Sequence, residues 1–164
     1  MAYESHPPGS SPAAAPDALQ ILSADHEAIR ALFAEYALYA QQPTGAADRH
    51  GVIARLGALL RAHDRIEAEL FLPALEGRAD AGLLGHALAD HTEISQQLQH
   101  VASIDPDDPS FDEHFAALAG KVHAHLFEAE RSLFPHAAGL DLVALGERIT
   151  RRRGELLADQ GAVD

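Results

Sequence analysis

Leucine, isoleucine, valine and phenylalanine recur along this chain at intervals of three and four residues, in four long stretches set apart by turn-forming residues. That is the period of a helix with one buried face. The first stretch runs from about Asp17 to Ala40, with Asp17 suited to cap its start and Pro43-Thr44-Gly45 to end it. The second runs from about Ala46 to Leu75 and stops at Gly77. The third runs from about Ala79 to Ile104 and stops at Asp105-Pro106-Asp107-Asp108-Pro109. The fourth opens at Ser110, with Glu113 in capping-box spacing, and continues to about Ala138, where Gly139 ends it. A shorter amphipathic piece, Asp141 to about Ala158, follows, and its basic run Arg148, Arg151, Arg152, Arg153 reads as a solvated face. Short loops between long helices favour antiparallel neighbours. The predicted fold is all-α: an up-down-up-down antiparallel four-helix bundle with a short C-terminal helix. Its divisions are a disordered lead-in at 1–16, the bundle at 17–140, and a C-terminal helix and tail at 141–164.

Each apolar stripe is interrupted once, and always by histidine. Helix one reads Leu19, Leu22, His26, Ile29, Phe33; helix two reads Val52, Leu56, Leu59, His63, Ile66, Leu70. Helix three reads Leu84, Leu88, His91, Ile94, Leu98; helix four reads Leu118, Val122, His125, with Ala129 and Leu133 beyond. The interruptions repeat in pairs. Ala24-Asp25-His26 on helix one is matched by Ala89-Asp90-His91 on helix three. His63 lies ten residues before Pro73, and His125 lies ten residues before Pro135. Two helical hairpins therefore carry corresponding histidines, and a pseudo-twofold bundle would bring all four together near its centre.

An unpaired imidazole in a core costs about 1–3 kcal/mol, because its nitrogens lose water. Four such costs are large against the roughly 5–15 kcal/mol that holds a domain folded, so something must satisfy them. Glu67, four residues after His63, shares its face and sits on the core side, where a lone charge is expensive and a metal ion would remove the difficulty. On helix four the position four after His125 is Ala129, and the nearby acids are Glu128 and Glu130; ideal helical geometry puts Glu128 nearer the histidine face. With no cysteine among 164 residues, thiolate sites and disulfides are excluded, so a metal must be held by nitrogen and oxygen. A formal charge of −13 argues against nucleic acid as a partner, and no run of about 18 apolar residues is present to span a membrane. Met1 to Pro16 lacks the basic start and apolar block of a secretion signal, and the absence of cysteine fits the cytoplasmic location expected here.

Taken in order, the Asp25-His26-Glu27 segment, the His63-x-x-x-Glu67 pair ending in Phe71-Leu72-Pro73, His91, and His125-x-x-x-x-Glu130 ending in Leu133-Phe134-Pro135 resemble the hemerythrin-like, or HHE cation-binding, family. The resemblance covers roughly Leu19 to Pro135. It implies two iron ions, oxo- or hydroxo-bridged, held by His26, His63, His91 and His125 and spanned by one carboxylate from helix two, Glu67, and one from helix four. Hemerythrins set that second acid five residues after the helix-four histidine, which selects Glu130. Oxygen-carrying members have a further histidine on helix three, four residues before the other; here that position is Ala87, and His86, one residue earlier, points away from the stripe. His86 is the candidate for that extra ligand, against a surface histidine. Without it each ion would keep open positions, which weighs against simple oxygen carriage. His6, His50, His100, His114, His123 and His136 are expected on the surface, and Tyr36 and Tyr39 in packing roles.

The expected function is a non-haem di-iron protein, with manganese or zinc as other possible metals, that binds, senses or reacts with a small molecule such as oxygen, nitric oxide or peroxide. A di-iron oxidoreductase that breaks down peroxide or reduces nitric oxide is the second reading. A metal-free interaction bundle is the third.

Overall fold

The computed structural model describes residues 15–41 and 46–161. Most of the predicted lead-in, and the Pro43-Thr44-Gly45 stop, lie outside the described residues. The chain forms α1 (Ala18–Ala40), α2 (Ala46–Ile66), the one-turn α3 (Leu72–Ala74), α4 (Ala81–Ala102), α5 (Phe111–Glu128) and α6 (Leu142–Gly161). No strand occurs among the described residues. α1 packs along α2 and α4 along α5, so the two hairpins read from the sequence are the two halves of a helical bundle. α6 lies across α1 and α2. No helix among the described residues is long and apolar enough to cross a membrane.

Local chemistry accounts for most boundaries. Asp17 caps α1 by accepting from the Gln20 amide, while the Gln20 side chain accepts from the Asp17 amide, closing a reciprocal box. Asp80 caps α4, which therefore starts at Ala81, two residues later than expected. Gly77 and Gly139 sit at φ 74° and 81°, the left-handed region that glycine enters without a Cβ clash, and both act as stops. The capping box expected at Ser110 is absent. The Ser110 amide and hydroxyl both donate to Asp108, and that turn leads the chain into α5 instead.

Two segments leave the α pattern. Glu67–Phe71 and Ala129–Leu133 each form a π turn, closed by Leu72 N–H to the Glu67 carbonyl and by Phe134 N–H to the Ala129 carbonyl. Each precedes a proline, Pro73 or Pro135. A proline in a helix has no N–H and its ring crowds the carbonyl four residues earlier; a wider turn relieves that crowding. The widening begins four residues after His63 and after His125, where the sequence-based choice among acids had to be made.

The core is in two parts. Leu22, Ile66, Phe71, Leu75, Ala87, Ala129 and Leu133 belong to one apolar cluster, which α6 completes with Leu145, Ile149 and Leu156. Ile29, Phe33, Leu56, Leu60, Ile94, Leu98, Leu118, Val122 and Leu126 belong to the other. On every long helix of the bundle the histidine falls where one cluster gives way to the other, so a polar layer divides the apolar interior. Leu88, placed on the stripe of helix three by its spacing, is instead 45% exposed.

α6 departs most from expectation. It is longer than predicted, and its basic run is not uniformly a solvated face. Arg148 and Arg151 are exposed, but Arg152 donates to Glu69 and Arg153 to Asp25, a buried carboxylate of α1. α6 docks closely because of Gly146: a Cβ there would stand 2.7 Å from the Pro16 carbonyl oxygen and 3.0 Å from the Ala18 nitrogen. Those are backbone atoms that cannot step aside. Gly146→Val is therefore expected to destabilise the fold by about 1–3 kcal/mol, the usual cost of overpacking. Denaturant unfolding of the variant beside the native chain measures it, and an unchanged midpoint would refute close docking of α6.

Candidate metal centre

Four buried histidines and one buried glutamate meet in the polar layer. His26 comes from α1, His63 from α2, His91 from α4 and His125 from α5. Glu67, the first residue of the first π turn, stands among them, fully buried. Its two oxygens face opposite ways. Oε1 lies 3.8 Å from His26 Nε2 and 3.6 Å from His63 Nε2. Oε2 lies 3.1 Å from His91 Nε2 and 3.4 Å from His125 Nε2, and those two nitrogens are 3.1 Å apart. The result is two triads, His26–His63–Glu67 and His91–His125–Glu67, each with its donor atoms within 4.8 Å of one another. A single carboxylate joins them.

The first triad is short of partners. His26 Nε2, His63 Nε2 and Glu67 Oε1 are all buried with no hydrogen-bond partner. One such group costs about 1–3 kcal/mol, and three that converge on one point describe a place for a cation. Imidazole nitrogen and carboxylate oxygen together suit a first-row transition metal. The donor set fits.

Behind the rings stands a second layer of acids. Asp25, on α1, lies 3.4 Å from His63 Nδ1, and Asp90, on α4, lies 3.5 Å from His125 Nδ1. These are corresponding members of the Ala-Asp-His repeat, so in each hairpin the aspartate before one histidine serves the histidine of the neighbouring helix. Glu130 meets His26 Nδ1 at 2.8 Å. A carboxylate on Nδ1 fixes the tautomer and turns Nε2 toward the metal side. Each acid is itself held by a cation: Asp25 by Arg153, Asp90 by Lys121 at 2.6 Å, and Glu130 by both Nη atoms of Arg30 at 2.9 and 3.0 Å. His91 Nδ1 has no such partner.

The spacing therefore brought five of its seven candidates together: His26, His63, Glu67, His91 and His125. It did not bring in the other two. Glu130 is in neither triad; the π turn that starts at Ala129 carries it to the outer side of His26, toward Arg30. Glu128, the alternative by ideal geometry, accepts from the Ser132 hydroxyl. The position in the second π turn that corresponds to Glu67 is Ala129, packed in the apolar core. His86 is 64% exposed at its side chain and lies 3.7 Å from Asp90, outside the triads. Sequence reasoning quoted Asp25 and Asp90 only as marks of the repeat and missed their role. The signal was there: an acid before a core histidine, on both hairpins, at a position one step around the helix from the apolar stripe.

Electrostatics fix a direction for the metal-free site. Burial opposes charge on His63 and on His125, but Glu67 and the neighbouring aspartates outweigh it and hold both above the ordinary imidazole value. Burial also opposes charge on Glu67, yet His63 and the rings of His125, His26 and His91 hold its carboxyl well below the usual range. A histidine raised in the folded state contributes stability that is fully present below about 6.5 and is lost as pH rises through the raised value. A depressed glutamate contributes stability above about 4.3 that is lost as pH falls. Metal-free protein is therefore expected to be most stable between those limits and to lose stability from about pH 6.5 upward. Thermal unfolding of chelator-treated protein across pH 5 to 8 tests this, and a rise in midpoint toward pH 8 would contradict it.

The Hemerythrin HHE cation binding domain model matches residues 17–137. No curated relative matches the chain. Among solved structures, the crystal structure of a hemerythrin HHE cation binding domain-containing protein from Mycobacterium kansasii is similar in fold, with a TM-score of 0.76 over 88% of this chain and 89% of that one, at 24% sequence identity. The family match runs from the cap of α1 to the end of the second hairpin, taking in both triads, and the chain belongs to the hemerythrin HHE cation-binding family.

Proposed function

We propose that this protein is a non-haem di-iron protein whose centre binds, senses or reacts with oxygen, nitric oxide or peroxide. The observation that carries the reading is the division of Glu67: one buried carboxylate with an oxygen toward each of two histidine pairs. That is the disposition of a bridge between two ions. On this reading His26, His63 and Glu67 Oε1 hold one ion, and His91, His125 and Glu67 Oε2 hold the other, inside an up-down-up-down antiparallel four-helix arrangement. Bound iron would supply redox and ligand-binding chemistry. The chain's own part is to present four Nε2 atoms and two oxygens, to hold the rings through Asp25, Asp90 and Glu130, and to exclude bulk water with the two apolar clusters.

Two histidines and a shared carboxylate leave each ion with open positions, which favours reaction over storage of a stable adduct. A di-iron oxidoreductase acting on peroxide or nitric oxide is the specific form of the proposal that this openness supports. In this reading Glu130 acts through His26, in the way Asp25 and Asp90 act through their partners, and His86 stays outside.

Metal analysis of protein purified without added metal is expected to give two irons per chain, and a clean value of one would end the dinuclear reading. Glu67→Ala is expected to lose both ions. Glu130→Ala and Asp90→Asn are expected to weaken metal affinity by about 10–100-fold, the usual effect of removing a group that orients a ligand. If Glu130→Ala strips the metal as completely as Glu67→Ala, it is a ligand rather than a support. Manganese or zinc in place of iron would keep the site and change its chemistry. If no metal is retained and replacing the four histidines by leucine stabilises the fold, the metal-free bundle is the right reading.

Loading reverses the pH dependence. Protons compete with metal for the imidazoles, so metal-bound protein is expected to lose stability as pH falls through about 6.5, the range where the metal-free protein gains it. Parallel melts with and without iron read the two slopes, and slopes of the same sign would count against the four histidines as ligands.

A further inference from the structure

The two hairpins repeat each other, so the groove between them on one side has a counterpart on the other. One groove runs between α1 and α5, the other between α2 and α4, and each encloses about 530 Å³. They are lined at corresponding positions. Arg30, Phe33 and His123 in the first stand where Ser95, Leu98 and Arg61 stand in the second, counted from the matching histidines.

The two grooves differ where they approach the centre. Between α1 and α5, Arg30 and Glu130 form a two-point ion pair across the helices, and Glu130 covers His26 Nδ1. His26 is fully buried and does not line that groove, which is apolar along most of its wall. Between α2 and α4 the corresponding positions hold Ser95 and Ala68, which are too short to reach each other, so the seal is missing. His91 lines this mouth, and at 7% it is the most exposed of the five triad residues. Its Nδ1 has no partner, as follows from Ala68 standing where the other half has Glu130. Asp64 also lines the mouth, at the position occupied by core Leu126 in the other half, and its Oδ1 is buried with no hydrogen-bond partner. Arg61, at the same mouth, makes no ion pair among the described residues.

We propose that small polar molecules reach the centre through the mouth between α2 and α4, over His91, and that the ion held by His91 and His125 is the one that takes them. This rests on the dinuclear reading above and deepens it. Arg61 draws an anionic or polar guest to the opening, and Asp64 Oδ1 is free to accept a hydrogen bond from a guest O–H. A molecule of the peroxide class fits such a lining better than an apolar gas does.

Azide binding to the iron-loaded chain, followed by its absorption band, is the first probe. Ala68→Glu with Ser95→Arg imports the pair that seals the opposite groove. We expect it to keep its iron and to slow azide association by about tenfold or more, because binding must then wait for a side chain to open. Ala68→Phe blocks the same mouth with one substitution if the double variant does not fold. Ala119→Trp fills the α1–α5 groove and is expected to leave the rate unchanged. Unaltered azide association in the sealed variants, or slowing by Ala119→Trp instead, would overturn the route. The second probe needs no iron: diethyl pyrocarbonate on chelator-treated protein, with sites read by peptide mass spectrometry. Among the four core histidines, His91 is expected to react first, and more slowly in the sealed variants. Reaction at His26 ahead of His91 would overturn the route even if the chain proved to bind no iron.

Discussion

A carboxylate with no access to water, set between two apolar clusters, is the constraint from which the rest of the structure follows. Glu67 cannot be neutralised from the solvent, so the chain surrounds it with imidazoles and sets cations farther out. Four rings face its two oxygens, three acids stand behind three of the rings, and Arg30, Lys121 and Arg153 stand behind those acids. Charge alternates outward from the centre, so each shell is partly neutralised by the next and none is left alone in the interior. The arrangement ties distant parts of the chain together, because each shell draws on different helices.

The pseudo-twofold repeat explains both the order of the site and its asymmetry. In each hairpin an aspartate and a histidine sit side by side on the first helix, and a histidine sits ten residues before a proline on the second. The halves then diverge at two adjacent positions. The first hairpin has Glu67 followed by Ala68, and the second has Ala129 followed by Glu130. An acid in the first of those places enters the centre, and an acid in the second turns to the outside and holds a ring. The exchange of one residue between neighbouring positions leaves one carboxylate between the two histidine pairs and puts an arginine–glutamate pair on one flank only.

Much of this was legible in the sequence, and the parts that were not have physical reasons. The helices and the four inward histidines follow from period and stripe, because burial selects for both. Glu67 followed from sharing a face with His63 across an ordinary helical turn. Glu130 could not be placed that way. The prolines at 73 and 135 induce π turns, and past the start of such a turn the angle per residue assumed in any face argument no longer holds. Asp25 and Asp90 were visible as letters but lie one step off the apolar stripe, where an acid reads as solvent-facing; only packing of the adjacent helix shows that they are buried. The role of α6 was hidden for a similar reason, since a basic amphipathic helix has the same pattern whether its arginines meet water or reach back to acids elsewhere.

The reach of Arg153 to Asp25 joins residues 128 positions apart. Closing a loop that long has an entropic cost, which the packing of α6 against α1 and α2 must offset. The acid that orients a ring of the first hairpin thus has its cation only while α6 is docked, so any loosening of α6 would be felt at the innermost chemistry of the molecule.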